Sequence, residues 1–156
     1  MTDGSGRMDG ATHLFPVRVY FEDTDAAGIV YHARFLHFAE RARTEMLRLF
    51  GLDHGRLWLD RGLAFAVVRA VLDCRHPARL DDRLELRTRP LRLGGATIEV
   101  EQTVMRPAAD GAATEIARMD IRLGCMTRHG RAGRIPADWR AVLKTFVTES
   151  RTDHGT

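Results

Sequence analysis

The chain has 156 residues, 44% of them hydrophobic, enough for one domain with its own core. Its net charge of +3 is carried mainly by arginines that are scattered rather than striped. No nucleic-acid motif accompanies them, which excludes nucleic acid as a partner, and an anionic ligand suits the excess of Arg forks. No apolar run approaches the roughly 18 residues of a membrane span.

Met1–Thr12 ("MTDGSGRMDGAT") is Gly-rich and polar and is expected to be a disordered tail. Residues 13–147 are expected to form the domain, and 148–156 a flexible tail. Phe15, Val17, Val19 and Phe21 alternate with Pro16, Arg18 and Tyr20, which predicts a first strand with one buried face. After a loop over 22–31 the period changes. Phe35, Phe38, Ala39, Ala42, Met46, Leu49 and Phe50 recur at helical spacing, with Gly51 as a stop. Leu36, Arg43 and Leu47 add a second stripe, so this helix is expected to be more enclosed than a surface helix. Glu45 is placed to pair with Arg41 and Arg48.

Beyond Leu63 the chain reads as strand. "LAFAVVRAVLDCRHP" is almost continuously apolar, as for a strand covered on both sides. "DRLELRTRPLRL" sets Leu84, Leu86 and Thr88 against Arg83, Glu85, Arg87 and Arg89. In "ATIEVEQTVMR", Ile98, Val100 and Val104 oppose Glu99 and Glu101, and in "IARMDIRLGCM" a face from Ala117 to Cys125 opposes Arg118, Asp120 and Arg122. A plain two-residue loop at Gly94–Gly95 would pair Arg89 with Val100 and mix the faces. An odd-length loop or Gly bulge is therefore expected, with Arg89 opposite Glu99 and Arg87 opposite Glu101. "PADWRAVLKTF" predicts a closing helix. Cys74 and Cys125 lie in apolar strand contexts and read as inert buried thiols, and the lack of Cys-x-x-Cys spacing or a signal peptide points to a reducing cytoplasm without a structural metal. A strand, an enclosed helix and a run of antiparallel strands is an α+β order, and the simplest solution wraps the sheet around the helix, the hotdog fold.

The segment "YFEDTDAAGIVYHARF" joins strand to helix. One of Asp23 and Asp25 can cap the turn through an Asx contact. A second Asp, followed by Gly28 and a helix start at Tyr31 and His32, suggests chemistry instead. Unpaired N–H groups at a helix N-terminus polarise a carbonyl and hold an oxyanion, and a nearby carboxylate attacks or activates water. Gly28 allows close backbone approach.

The run "VRVYFEDTDAAGIVYHARFLHFAERARTEML" resembles the 4-hydroxybenzoyl-CoA thioesterase family, particularly the acyl-CoA thioesterases associated with the Tol–Pal envelope system. The likeness is dense over Pro16–Leu47 and continues to "RIPADW". It implies a hotdog acyl-CoA thioesterase with Asp25 as nucleophile or general base and the His32 amide as oxyanion donor. The His32 side chain is left open between catalysis and orienting the helix. Where the family carries a Tyr four residues before that Asp, this chain has Phe21, expected only to pack. The resemblance further implies no cofactor beyond CoA as part of the substrate, a homodimer or homotetramer with sites between subunits, a cytoplasmic location, and a possible peripheral link to envelope proteins.

Other hotdog thioesterases carry the carboxylate on the central helix, which makes Glu40 the rival acid, with an ion pair to Arg41 or Arg43 as its plainer role. Arg128, Arg131 and Arg134 in "TRHGRAGR" are candidates to grip CoA phosphates, though they also suit a solvated turn. His37, His54, His76, His129 and His154 lack metal-ligand spacing and read as ordinary polar residues. Alternative functions are a hotdog enoyl-CoA hydratase or dehydratase, and a non-catalytic acyl-CoA-binding or envelope-complex scaffold.

Overall fold

The computed structural model describes residues 4–152. In chain order its elements are β1 (Arg7–Asp9), β2 (Thr12–Arg18), α1 (His32–Leu49), α2 (His54–Arg61), β3 (Leu63–Cys74), β4 (Arg83–Leu93), β5 (Thr97–Arg106), β6 (Thr114–Thr127) and α3 (Ala137–Thr152). The strands form one antiparallel sheet in the order β1-β2-β4-β5-β6-β3.

The helical stripe does what its spacing implies. Phe35, Phe38, Ala39, Ala42 and Met46 are buried along α1. All but Met46 pack with Leu84, Leu86, Val104, Ile116, Met119 and Ile121 of the sheet and with Val19 just beyond β2. This is the hotdog arrangement, a sheet around a central helix. A second cluster joins Leu52, Leu57, Ile98, Val100, Cys125, Ile135, Trp139 and Leu143, which seats α2 and α3.

Arg43 is also buried, which apolar packing alone would forbid. Its guanidinium donates to Gln102 Oε1 at 2.6 Å and pairs with Glu40. The Gln102 amide in turn donates to the Ala39 carbonyl at 3.0 Å and to Thr88 Oγ1 at 2.9 Å. A buried charge is tolerable only when its donors are met in this way.

Several expectations need correction. The segment Met1–Thr12 is ordered over its described part: β1 pairs with β2, Ser5 is buried, and Ser5 Oγ donates to Glu45 at 2.6 Å. Turns at Gly6 (φ +77°) and Gly10 (φ +58°) make this possible, so the glycines that suggested disorder serve as turn formers. At the other end, the α3 backbone runs through 148–152, where a flexible tail was expected, and 153–156 lie outside the described residues.

The first strand stops at Arg18, and the one-turn 3-10 helix Phe21–Asp23 turns Phe21 outward, 83% exposed, so it does not pack in this chain. Helix α2 was not foreseen. Asp53 Oδ1 caps it by accepting from the Arg56 amide at 3.1 Å, and Gly62 (φ +63°) ends it.

The β4–β5 register has the expected parity but different partners. Arg89 faces Glu101, Arg87 faces Thr103, and Thr88 faces Gln102. The odd step is a bulge at Leu91, between the pairs Pro90–Val100 and Arg92–Glu99, rather than at the glycines. Pro90 has no N–H for the ladder, which favours a bulge beside it. Finally, β3 is an edge strand. Val67, Val68 and Val71 are 47%, 56% and 38% exposed, and Cys74 is exposed while Cys125 is buried.

Candidate active site

The two aspartates of "EDTD" take different jobs. Asp23 is buried, its Oδ2 accepting from the Tyr20 amide at 2.8 Å and its Oδ1 lying 3.8 Å from Arg34 Nε. Its carbonyl accepts the Tyr31 N–H at 2.9 Å, so Asp23 fixes the approach to α1. Asp25 is exposed at the head of a tight turn. Its Oδ1 accepts from the Ala27 amide at 2.8 Å, and its carbonyl accepts from Gly28 at 3.0 Å. The Asx turn therefore belongs to Asp25, which stands in the open, while the buried Asp23 reaches back to the Tyr20 amide as in a capping box.

Gly28 has φ +77°, which the turn requires and side-chain-bearing residues rarely adopt. Its N–H is committed to Asp25 and the Tyr31 N–H to Asp23, so neither amide is available as an oxyanion donor. Of the positions expected to hold the oxyanion or position the substrate, Gly28 and Tyr31 thus keep the loop's shape with their amides. The donors left are in the first turn of α1, beginning with His32, whose amide has no carbonyl four residues back within the helix. Tyr31, the N-cap, makes no side-chain cap, and α1 has no acidic residue in its first turn. The start of this 18-residue helix thus has no side-chain cap and no acidic residue of its own first turn to oppose its partial positive charge.

Asp25 and His32 line one open cleft of about 460 Å³. Ile29, Val30 and Phe35 supply its apolar lining, together with the segment Cys74–Ala78 at and beyond the end of β3. That segment was missed in the sequence. Its signal was the pair Arg75–His76 set between an apolar strand and Pro77. Partial desolvation by its neighbours, with Asp73 nearby, pushes the pKa of the exposed Cys74 thiol up, away from thiolate chemistry.

Glu40 lies elsewhere. It pairs with Arg43 at a second, tighter pocket of about 60 Å³ between α1 and the sheet, lined also by His54, Phe65, Thr88 and Val100. Burial is the main cause of the lowered His54 pKa, with Glu40 and Asp53 opposing it. The plainer reading of Glu40, an ion pair with Arg43, is the one found.

Arg128, Arg131 and Arg134 are exposed, but the structure does not bring them to Asp25. They follow the Thr127 end of β6, paired with Leu63, whereas the cleft lies by Cys74, paired with Ala117. Eleven residues of strand separate those ends, about 36 Å at ~3.3 Å per residue. Arg128 is moreover engaged locally, donating to the carbonyls of Trp58 at 2.8 Å and Leu59 at 3.3 Å, its guanidinium 5.1 Å from the Trp58 ring centre.

Residues 19–145 match the Thioesterase-like superfamily. The chain is 52% identical over 92 residues to an acyl-CoA thioesterase, YbgC, of Haemophilus influenzae, a match covering 59% of this chain and 68% of that protein. A probable thioesterase from Bartonella henselae superimposes with a TM-score of 0.73 at 33% identity, over 80% of this chain and 99% of that one. A 4-hydroxybenzoyl-CoA thioesterase in complex with 4-hydroxybenzoyl-CoA superimposes with a TM-score of 0.80 over 85% of this chain and 99% of that one, a likeness of fold at 21% identity. Among the described residues no helix is long and apolar enough to cross a membrane.

Proposed function

The chain belongs to the Thioesterase-like superfamily and is a thioester hydrolase, and on that premise we propose that it cleaves acyl-CoA to a carboxylic acid and CoA, with Asp25 driving the attack. One observation carries the reading. An exposed carboxylate and the start of α1, which no side chain caps, border the same open cleft. A thioester carbonyl held there would place its oxygen against the first-turn amides, beginning with His32, and its carbon toward Asp25. Such donors act on the charge that develops as the carbonyl is attacked, and losing one typically costs ~10²–10³ in rate. The reaction needs no cofactor, since CoA arrives with the substrate.

The apolar edge of β3 supports a second part of the proposal, that the working unit is a homodimer or a homotetramer built as a dimer of dimers. An unpaired, valine-rich edge strand is a template for a second copy. Two β3 strands meeting antiparallel about a two-fold axis would set the Leu63–Thr127 end of one subunit beside the Cys74 end of the other. The partner's Arg128, Arg131 and Arg134 would then reach this cleft, where they could serve the CoA phosphates.

The test is thiol release from a panel of aliphatic and aromatic acyl-CoA thioesters. Asp25→Asn should fold normally and lose ~10²–10⁴ of kcat. Near-wild-type turnover by that variant would remove Asp25 from the mechanism. Conversion of an enoyl-CoA without thiol release would favour a hydratase, and tight binding without turnover a scaffold.

A further inference from the structure

We propose that His76 is a second catalytic group of this cleft, the base that deprotonates the hydrolytic water through Nε2. The inference rests on the thioesterase reading above and divides its chemistry between two residues.

His76 borders the cleft that Asp25 and His32 also line. Its Nδ1 lies 2.9 Å from the Glu115 carbonyl oxygen. A carbonyl has no proton to give, so Nδ1 carries the hydrogen and donates it. That fixes the tautomer: in the neutral ring Nε2 is left with its lone pair. A histidine oriented through one nitrogen by a backbone oxygen, in a cleft that a carboxylate also lines, has the form of a general base.

The segment is held firmly. The Arg75 and His76 amides both donate to the Ile116 carbonyl, at 2.9 and 3.2 Å. The Pro77 carbonyl accepts from Arg106 at 3.0 Å, and the Ala78 carbonyl accepts the Val30 N–H at 2.8 Å. Ile29 bridges to Arg79 as well. The same backbone bonds therefore locate the imidazole and the loop that carries Asp25 into α1. The ionisable groups around the ring are Asp25 and His32 in the cleft, Cys74 and Arg75 on its own segment, and Glu115 with Arg118 on β6, where Glu115 pairs with both arginines.

In the first half-reaction the Asp25 carboxylate bonds to the thioester carbon, the carbonyl electrons move onto oxygen, and their return expels the CoA thiolate to leave a mixed anhydride. In the second, water bonds to the acyl carbon while Nε2 takes its proton. The bond from acyl carbon to Asp25 breaks, which restores the carboxylate and frees the acid. Protonated His76 then passes its proton to the CoA thiolate. The sum is acyl-CoA plus water giving acid plus CoA, with both residues regenerated.

The decisive variant is His76→Asn. Its amide N–H can take over the bond to the Glu115 carbonyl, but nothing replaces Nε2. With an acyl-CoA that the wild type hydrolyses, this variant should release about one equivalent of thiol per site in a burst, then turn over ~10²–10³ slower. In His76→Ala, free imidazole should restore turnover. A loss without a burst and without imidazole rescue, or wild-type turnover by His76→Asn, overturns the role. Should Asp25→Asn be inactive while His76→Asn is unaffected, the thioesterase reading survives and this inference alone fails. A wild type that releases no thiol from any acyl-CoA fails the reading itself.

Discussion

Replacing Gln102 with Leu should destabilise the fold far more than its one lost side chain suggests. Gln102 is fully buried and makes three hydrogen bonds, one of them from the charged guanidinium of Arg43, itself 7% exposed. A hydrogen bond to a charged group contributes ~1.5–3 kcal/mol and each neutral one ~0.5–1.5 kcal/mol, so the sum lies between ~2.5 and ~6 kcal/mol. We expect about 4 kcal/mol from urea unfolding at fixed protein concentration. For a chain of this length, at ~2–4 °C per kcal/mol, this corresponds to a fall in Tm of roughly 8–16 °C. Most of that cost comes from stranding Arg43, whose remaining partner Glu40 has a largely exposed side chain. The double variant Arg43→Met with Gln102→Leu should therefore recover at least half of it, because removing both buried partners is much cheaper than removing one. A Gln102→Leu cost below ~1 kcal/mol, or a double variant worse than the single, would refute the reasoning.

Three further outcomes are expected. Burial holds the pKa of both His13 and His54 below the ordinary imidazole value. The unfolded chain then binds protons more readily than the folded one below about pH 6.5, and stability present above that pH is lost as pH falls toward the folded values. Urea midpoints between pH 5 and 7.5 should fall less steeply for His13→Gln and His54→Gln than for wild type, and equal slopes would reject this account. Gly6→Ala should cost at least ~1 kcal/mol, because φ is +77° and the new Cβ would sit 2.2 Å from the Leu14 carbonyl oxygen. Faster amide exchange over Arg7–Asp9 would report the release of β1. Asp53→Ala should cost about 1 kcal/mol by removing the α2 cap, with the exchange change confined to α2.

Much of this could be read from residue order because the underlying rules are local. The 3.6-residue stripe from Phe35 to Met46 admits one buried face, and the alternation in β4, β5 and β6 admits one inward face each. Even the odd register step between β4 and β5 followed from matching faces. Its place did not, since a bulge beside Pro90 and a longer loop satisfy the same parity. The order of Met8 and its neighbours was hidden for a similar reason: composition cannot tell a Gly that loosens a chain from one that turns it into a hairpin.

The site divides along the same line. That a carboxylate precedes a helix start is a property of sequence, because five residues separate Asp25 from Tyr31 and no fold can part them far. Which aspartate is buried, which amides are spent on the loop's own turns, and that His76 lines the same cleft as Asp25 are tertiary facts. Those placements follow from hydrogen bonds between segments some fifty residues apart, such as Val30 to Ala78, and chain order alone carries no record of them.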